Sequence, residues 1–228
     1  MAATPDARDT VIVRALGRVA YDAAWRAMRA FTAARTDSTP DEIWLLEHPP
    51  VYTMGLRGRD GTARALHGVP LVYTDRGGDM TYHGPGQLIA YVLMDLRRRN
   101  WGVRTLVRAL EQAVLDLLAA HGVGAARRTG APGVYVEGKK IAALGLRVRQ
   151  GRSYHGLALN VSMDLAPFTH IDPCGYPGLA VTQLADLGLT ADMQQAEHRL
   201  RARLVDALGY NAAQKPHDDE VIRAALHG

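Results

Sequence analysis

Residues 133–165 read GVYVEGKKIAALGLRVRQGRSYHGLALNVSMDL. Apolar and polar residues alternate along this stretch, and the alternation breaks at Glu137-Gly138 and again at Gln150-Gly151. Pairs of that kind between β-rich runs are hairpin turns, because glycine accepts the positive φ that a tight turn demands. A largely antiparallel sheet is therefore expected in the second half of the chain.

Outward from this stretch, TVIVRAL (10–16), EIWLLEH (42–48), VPLVYTDR (69–76) and GQLIAYVLMDL (86–96) read as strands. The last is apolar enough to be buried on both faces. VAYDAAWRAMRAFTAARTD (19–37) carries apolar residues at helical spacing. Val103, Leu106, Leu110, Val114, Leu117 and Leu118 trace one face of a second helix, and AEHRLRARLVDALGY (196–210) forms a third. Helices join some strands and hairpins join others. The fold class is thus mixed α/β, or α+β, with a central, mixed, largely antiparallel sheet flanked by helices. One domain is expected over 1–210, followed by a polar C-terminal tail over 211–228 that could form a short helix at DDEVIRAALHG.

The 228 residues are 47% hydrophobic, which suffices for a substantial core. One cysteine cannot form an internal disulfide, and the N-terminus has no apolar signal segment, so a cytoplasmic protein is expected. The most apolar helical stretch contains Glu111 and Asp116, which argues against a membrane span. The net charge is +4. Arg127, Arg128, Lys139, Lys140, Arg147, Arg149 and Arg152 fall between 127 and 152 against a single Glu137. This basic segment favours an acidic partner, but no nucleic-acid motif accompanies it.

Three stretches could carry chemistry. DRGGDMTYHGPGQL (75–88) places Gly77, Gly78, Gly84 and Gly86 among Arg76, Asp79, Thr81, Tyr82 and His83. It is neither a dinucleotide fingerprint nor a Walker loop. It leads into a strand, so no helix N-terminus is offered to a phosphate. Lys139 and Lys140 open a strand, so one faces solvent and the other the interior or a cleft. His155 opens an apolar strand, where a hydrogen-bonded structural role is the plainer reading. Asn160 and Asp164 are ligand or cap candidates. No metal-ligand spacing is present, and no cofactor is expected.

HIDPCGYPG (170–178) holds the single cysteine, Cys174, on a loop shaped by Pro173, Gly175, Pro177 and Gly178. Local sequence leaves a reactive and an inert thiol equally open. A lysine beside it would stabilise the thiolate or, if desolvated, take its proton.

In order, RGGDMTYHGPGQL, GKKIAALGLRV, HGLALNV and IDPCGYPG closely resemble the octanoyltransferase family, also called lipoate-protein ligase B. The resemblance runs from Glu47-His48-Pro49-Pro50 to Leu184. It implies the fold of biotin and lipoate protein ligases. It also implies transfer of an octanoyl group from octanoyl-acyl carrier protein to a lysine of lipoyl domains, on the E2 subunits of oxo-acid dehydrogenases and on the glycine cleavage H protein. This is the first step of protein lipoylation. The nucleophile maps to Cys174 and its activating lysine to Lys140. The acyl-binding segments map to Arg76, Gly77, Gly78, Asp79, Met80, Thr81, Tyr82 and His83, to Ala143, Leu144 and Gly145, and to Gly156, Leu157 and Ala158. His155 or His83 could assist. Small residues at Ala142, Ala143, Gly145 and Gly156 suit an acyl tunnel, and a monomer is expected. The rival readings are an ATP-dependent ligase on the same fold, an acyl thioesterase, and a non-catalytic carrier-protein binder.

Overall fold

The computed structural model describes residues 10–58, 64–172, 178–189, 191–214 and 226. The chain opens with β1 (Thr10–Arg18), α1 (Tyr21–Ala34) and β2 (Asp41–Glu47), in which the helix carries the chain between two parallel strands. A small sheet follows, made of β3 (Val51–Met54), β4 (Ala65–Leu66), β5 (Val69–Tyr73) and β6 (Met80–His83), in the order β4-β5-β3-β6. The chain then forms β7 (Gln87–Leu93), α2 (Val103–Ala119), β8 (Ala126–Arg127), β9 (Gly133–Val136), β10 (Lys139–Arg149), β11 (Arg152–Asn160), α3 (Met193–Ala207) and β12 (Ala212–Gln214).

The main sheet has the order β12-β1-β2-β7-β11-β10-β9-β8. β1 pairs in parallel with β2 and β12, and every other pairing in it is antiparallel. The two expected hairpin turns are present. Glu137 and Gly138 have φ of 49° and 78°, and Gln150 and Gly151 have 52° and 75°. Positive φ at both central residues matches the right-handed twist of the flanking strands. The first residues after 210 belong to the sheet through β12, and Leu226 is buried against α1.

Two helices cover one face of the sheet. Leu106, Leu110, Val114, Leu200 and Leu204 pack there against Val134, Ile141, Ala142, Leu157 and Leu159. α1 covers the other face, where Ala24 and Met28 meet Trp44, Ile89, Tyr91 and Ala158. β7 lies between these layers and all seven of its residues are buried, which explains its unbroken apolar sequence. β3 and β6 were not foreseen. Each is only four residues long, and β6 sits inside the glycine-rich stretch, so neither presents a strand-length apolar pattern.

Candidate active site

The floor of the site is set by strand register. Ile89, Ala158 and Ala143 are consecutive partners across β7, β11 and β10, and Tyr91, Gly156 and Gly145 form the next such row. Side chains two apart on a strand share a face. Four small residues therefore stand together on the α1 side and leave a trough, with Ile89 and Tyr91 as its wall. Nearby, β10 has a bulge between Lys140 and Ala142. Ile141 and Ala142 both turn into the core beneath α2. Ala142, expected in the tunnel, is on the opposite face from Ala143 and Gly145, as the period of two along this unshifted part of β10 requires.

The roof is the loop before β6. Gly77 donates its N–H to the Leu146 carbonyl of β10 at 2.9 Å. Arg76, buried beneath, donates to the Thr53 carbonyl at 2.7 Å, the Asp79 carbonyl at 2.8 Å and the Gly77 carbonyl at 3.0 Å. Its Cδ lies 3.0 Å from where a Cβ on Gly145 would stand. Glycine at 145 is what lets the arginine lie across the strand. A Cβ on Gly55 would collide with the Gly78 carbonyl, so this loop is pressed directly onto the end of β3.

Floor and roof enclose a cavity of about 510 Å³ including its open mouth, of which only about 40 Å³ admits the centre of a water molecule. It is a narrow slot. Of the residues expected to bind acyl chain, Arg76, Gly78, Asp79, Met80, Thr81, His83, Ala143, Leu144, Gly145, Gly156, Leu157 and Ala158 line it, as does His155. Gly77 and Tyr82 fall outside the lining. Gly77 anchors the roof, and Tyr82 packs against Tyr52 and Phe168 in a separate apolar cluster. Three lining residues were missed: Tyr21, Ile89 and Tyr91. Sequence assigns them to a helix start and a core strand, and only the pairing of β7 with β11 turns them toward a ligand.

Buried polar groups surround the slot, and burial holds its histidines neutral. The Val19 carbonyl can only accept, so His48 Nδ1 donates to it at 2.6 Å and Nε2 accepts from Tyr91 Oη at 2.7 Å. Burial pushes His48 down to about 4. His83 Nδ1 donates to Gln87 Oε1 at 2.7 Å, and burial also lowers its pKa well below the ordinary range. His155, at φ 61°, donates from Nε2 to Asp75 Oδ1 at 3.1 Å. Burial lowers its pKa against the pull of Asp75. Asp75 also accepts from Trp25 Nε1 and Tyr154 Oη. Its partial burial disfavours the carboxylate, but these three donors outweigh it and hold the group well below the usual range. Asn160 donates to the Thr182 carbonyl and accepts from Gln87, while Asp164 caps the turn at Ala166.

Lys139 is exposed and Lys140 is buried, as the alternation requires. The Lys140 side chain passes Gly133, the β9 partner of Ala143, with Cε 3.1 Å and Nζ 3.5 Å from where a Cβ on that glycine would be. Nζ donates to the Pro132 carbonyl at 3.4 Å and lies 5.3 Å from the centre of the Tyr135 ring. The ammonium therefore stands at the end of the Ile89–Ala158–Ala143 row. Cys174 lies outside the described residues. The chain beyond it returns at Gly178, and Lys140 then bridges in parallel to Val181. In this bridge the Lys140 N–H donates to the Ala180 carbonyl and the Thr182 N–H to the Lys140 carbonyl, both at 2.9 Å.

The basic segment does not form one surface. Arg127 pairs with Glu111, Lys140 is buried, Arg152 faces Asp95, and Arg147 and Arg149 lie on the α1 side of β10. A run of charges in sequence is spread across strands once the chain folds into hairpins.

Residues 20–205 match the lipoyl protein ligase A/B catalytic domain family. An octanoyltransferase of Thiobacillus denitrificans is 60% identical over 208 residues, covering 90% of this chain and 95% of that protein. The chain belongs to the octanoyltransferase family. The fold is shared more widely. A bi-partite lipoate protein ligase from Thermoplasma acidophilum superposes with a TM-score of 0.74 at 16% identity, covering 95% of this chain and 89% of that one. A biotin protein ligase from Aquifex aeolicus in complex with biotin and ATP gives 0.55 at 13% identity, covering 86% and 70%. No helix among the described residues is long and apolar enough to cross a membrane.

Proposed function

We propose that this octanoyltransferase-family protein takes octanoate from octanoyl-acyl carrier protein onto Cys174 and passes it to a lysine of a lipoyl domain, either on an E2 subunit or on the glycine cleavage H protein. One observation carries the reading. Three segments distant in sequence, 76–83, 143–145 and 156–158, converge on a single narrow, largely apolar slot, and the Lys140 ammonium stands at the end of one of its rows.

The chemistry follows from these parts. A free thiol has a pKa of about 8.5, so little of it is thiolate at neutral pH. A neighbouring ammonium favours the ionised form. Support for Lys140 in that role comes from its burial and from its backbone bridge to residues 180–182, which begin six residues beyond Cys174 in sequence. The Cys174 thiolate adds to the thioester carbonyl, the carrier's thiolate leaves and takes up the proton of the Lys140 ammonium, and octanoate is held as a new thioester beside neutral Lys140. The neutral acceptor amine then adds to that carbonyl, an amide forms, its surplus proton passes to neutral Lys140, and the Cys174 thiolate returns. Thioester exchange is nearly isoenergetic and the amide step is downhill, so no nucleotide is consumed.

Intact mass spectrometry after mixing with octanoyl-carrier protein tests this. The chain should gain one octanoyl unit, mapped to Cys174. An unmodified chain, or full activity of Cys174→Ser with ATP and free octanoate, would overturn the reading in favour of a ligase.

A further inference from the structure

Glu111 places a carboxylate inside an otherwise apolar helix face, and the chemistry proposed above makes no use of it. On α2 it shares the buried side with Leu110, Val114 and Leu118, and it is only 5% exposed. A buried carboxylate is costly unless it is paired and hydrogen-bonded. Here both oxygens are engaged. Oε2 accepts from Arg127 Nε at 3.0 Å, and Oε1 accepts the buried Gly133 N–H at 3.0 Å. Arg127 Nη2 in turn donates to the Arg108 carbonyl at 3.1 Å and to Gln112 Oε1 at 2.8 Å. The guanidinium is thereby tied to α2 and holds the carboxylate in place.

The Gly133 N–H belongs to the same peptide unit as the Pro132 carbonyl, which accepts from Lys140 Nζ at 3.4 Å. A trans peptide aims its N–H and its C=O in opposite directions. The carboxylate and the ammonium therefore stand on opposite sides of one peptide plane and polarise it in the same sense. The carboxylate pulls on the N–H, electron density rises on the carbonyl, and the carbonyl holds the ammonium more firmly. Tyr135 Oη fastens the same segment at a second point by donating to the Ala131 carbonyl at 3.0 Å. Gly133 is also the β9 partner of Ala143, so this peptide borders the slot.

We propose that Glu111, anchored by Arg127, is a positioning residue that fixes the Lys140 ammonium at the end of the acyl slot through the Pro132–Gly133 peptide. The inference rests on the role given to Lys140 above, and the experiment separates the two. Single-turnover acylation by octanoyl-acyl carrier protein and the pH dependence of Cys174 alkylation are measured for wild type, Glu111→Met, Glu111→Gln, Lys140→Ala and the Glu111→Met, Lys140→Ala double variant. Glu111→Met keeps the length of the side chain and removes both acceptors. It should slow acylation about tenfold, the loss of one hydrogen bond to a charged group, and move the alkylation profile to higher pH. A pure charge effect has the opposite sign, because removing a nearby negative charge favours a thiolate. Glu111→Gln should recover most of the rate. Its single carbonyl oxygen stays with the buried Gly133 N–H, while the Arg127 side chain, 38% exposed, turns to water. In the Lys140→Ala background Glu111→Met should change neither readout further, whereas a residue serving stability alone would subtract equally in both backgrounds. Should Glu111→Met not fold, Glu111→Asp takes its place with the same expected outcomes, since it keeps the charge but withdraws the carboxylate from Gly133 by one methylene. If Lys140→Ala moves the alkylation profile and the Glu111 variant does not, or if that variant's loss is the same with and without Lys140, the positioning role is overturned and the mechanism stands. If Lys140→Ala itself leaves both readouts unchanged, the role of Lys140 falls and that of Glu111 falls with it.

Discussion

Ala158 sits in the middle of the Ile89–Ala158–Ala143 row and lines the slot. Ala158→Leu places three further carbons where the middle of an acyl chain would run, without touching Lys140 or the roof loop. A buried methylene is worth about 0.8 kcal/mol, so displacing three costs a long chain roughly 2.4 kcal/mol of binding. That is about a 60-fold loss for octanoyl relative to pentanoyl, at about 1.4 kcal/mol per factor of ten. The assay is single-turnover acylation with octanoyl, hexanoyl and pentanoyl carrier proteins, comparing the ratio of rates, so that an overall loss from crowding cancels. Thermal unfolding verifies that the fold survives. An octanoyl-to-pentanoyl ratio within about twofold of wild type, well below that 60-fold figure, in a folded variant would refute the placement of the chain along this row.

Other perturbations have equally defined outcomes. Lys140→Ala should move the pKa of Cys174 alkylation up toward its free value of about 8.5, read from the pH dependence of the alkylation rate; an unchanged profile removes the pair. Gly133→Ala should slow acylation while leaving alkylation of a denatured control untouched, because the new Cβ would collide with the Ala142 carbonyl at 2.7 Å, would press on Lys140 Cε at 3.1 Å, and sits on a backbone at φ 145°; a wild-type rate argues that the lysine is not positioned there. Gly156→Ala should destabilise the fold by about 3 kcal/mol or more in denaturant titration, because its Cβ would collide with the Ala90 carbonyl and part β7 from β11. His48 is neutral in the fold, with its pKa lowered to about 4, whereas the unfolded chain protonates near 6.5. The unfolded state therefore binds the extra proton between those values, and stability present above pH 6.5 is lost as pH falls toward 4, by up to about 3 kcal/mol. His48→Gln should flatten that slope in unfolding measurements across the same range, and an undiminished slope would assign it to other groups.

What could be read from sequence, and what could not, divides along a physical line. The turns at Glu137-Gly138 and Gln150-Gly151 are local, so their residues announce them, and with them the antiparallel half of the sheet. The exposed and buried members of the Lys139–Lys140 pair follow from a period of two. Ile89 and Tyr91 could not be recognised as slot residues. β7 is buried on both faces, so its side chains look alike in sequence. Only the register against Ala158 and Gly156 gives two of them a cavity to face. Ala142 was legible by the same rule: alternation alone puts it on the face opposite Ala143 and Gly145, and its small size is no guide to which face it takes.

The same register shows which residues can set chain length. Gly145 and Gly156 look from sequence like the empty places in the tunnel, and both are already used. The space at 145 is taken by the Arg76 side chain, and the absent Cβ at 156 is what allows β11 to approach β7. Enlarging either would disturb the roof or the sheet before it shortened the slot. The alanines at 143 and 158 are different, since each already presents a Cβ to the slot and can lengthen within it. The glycines build the enclosure and the alanines measure what fits inside it, so selectivity for chain length should respond to substitutions at 143 and 158, whereas those at 145 and 156 should register first as lost stability.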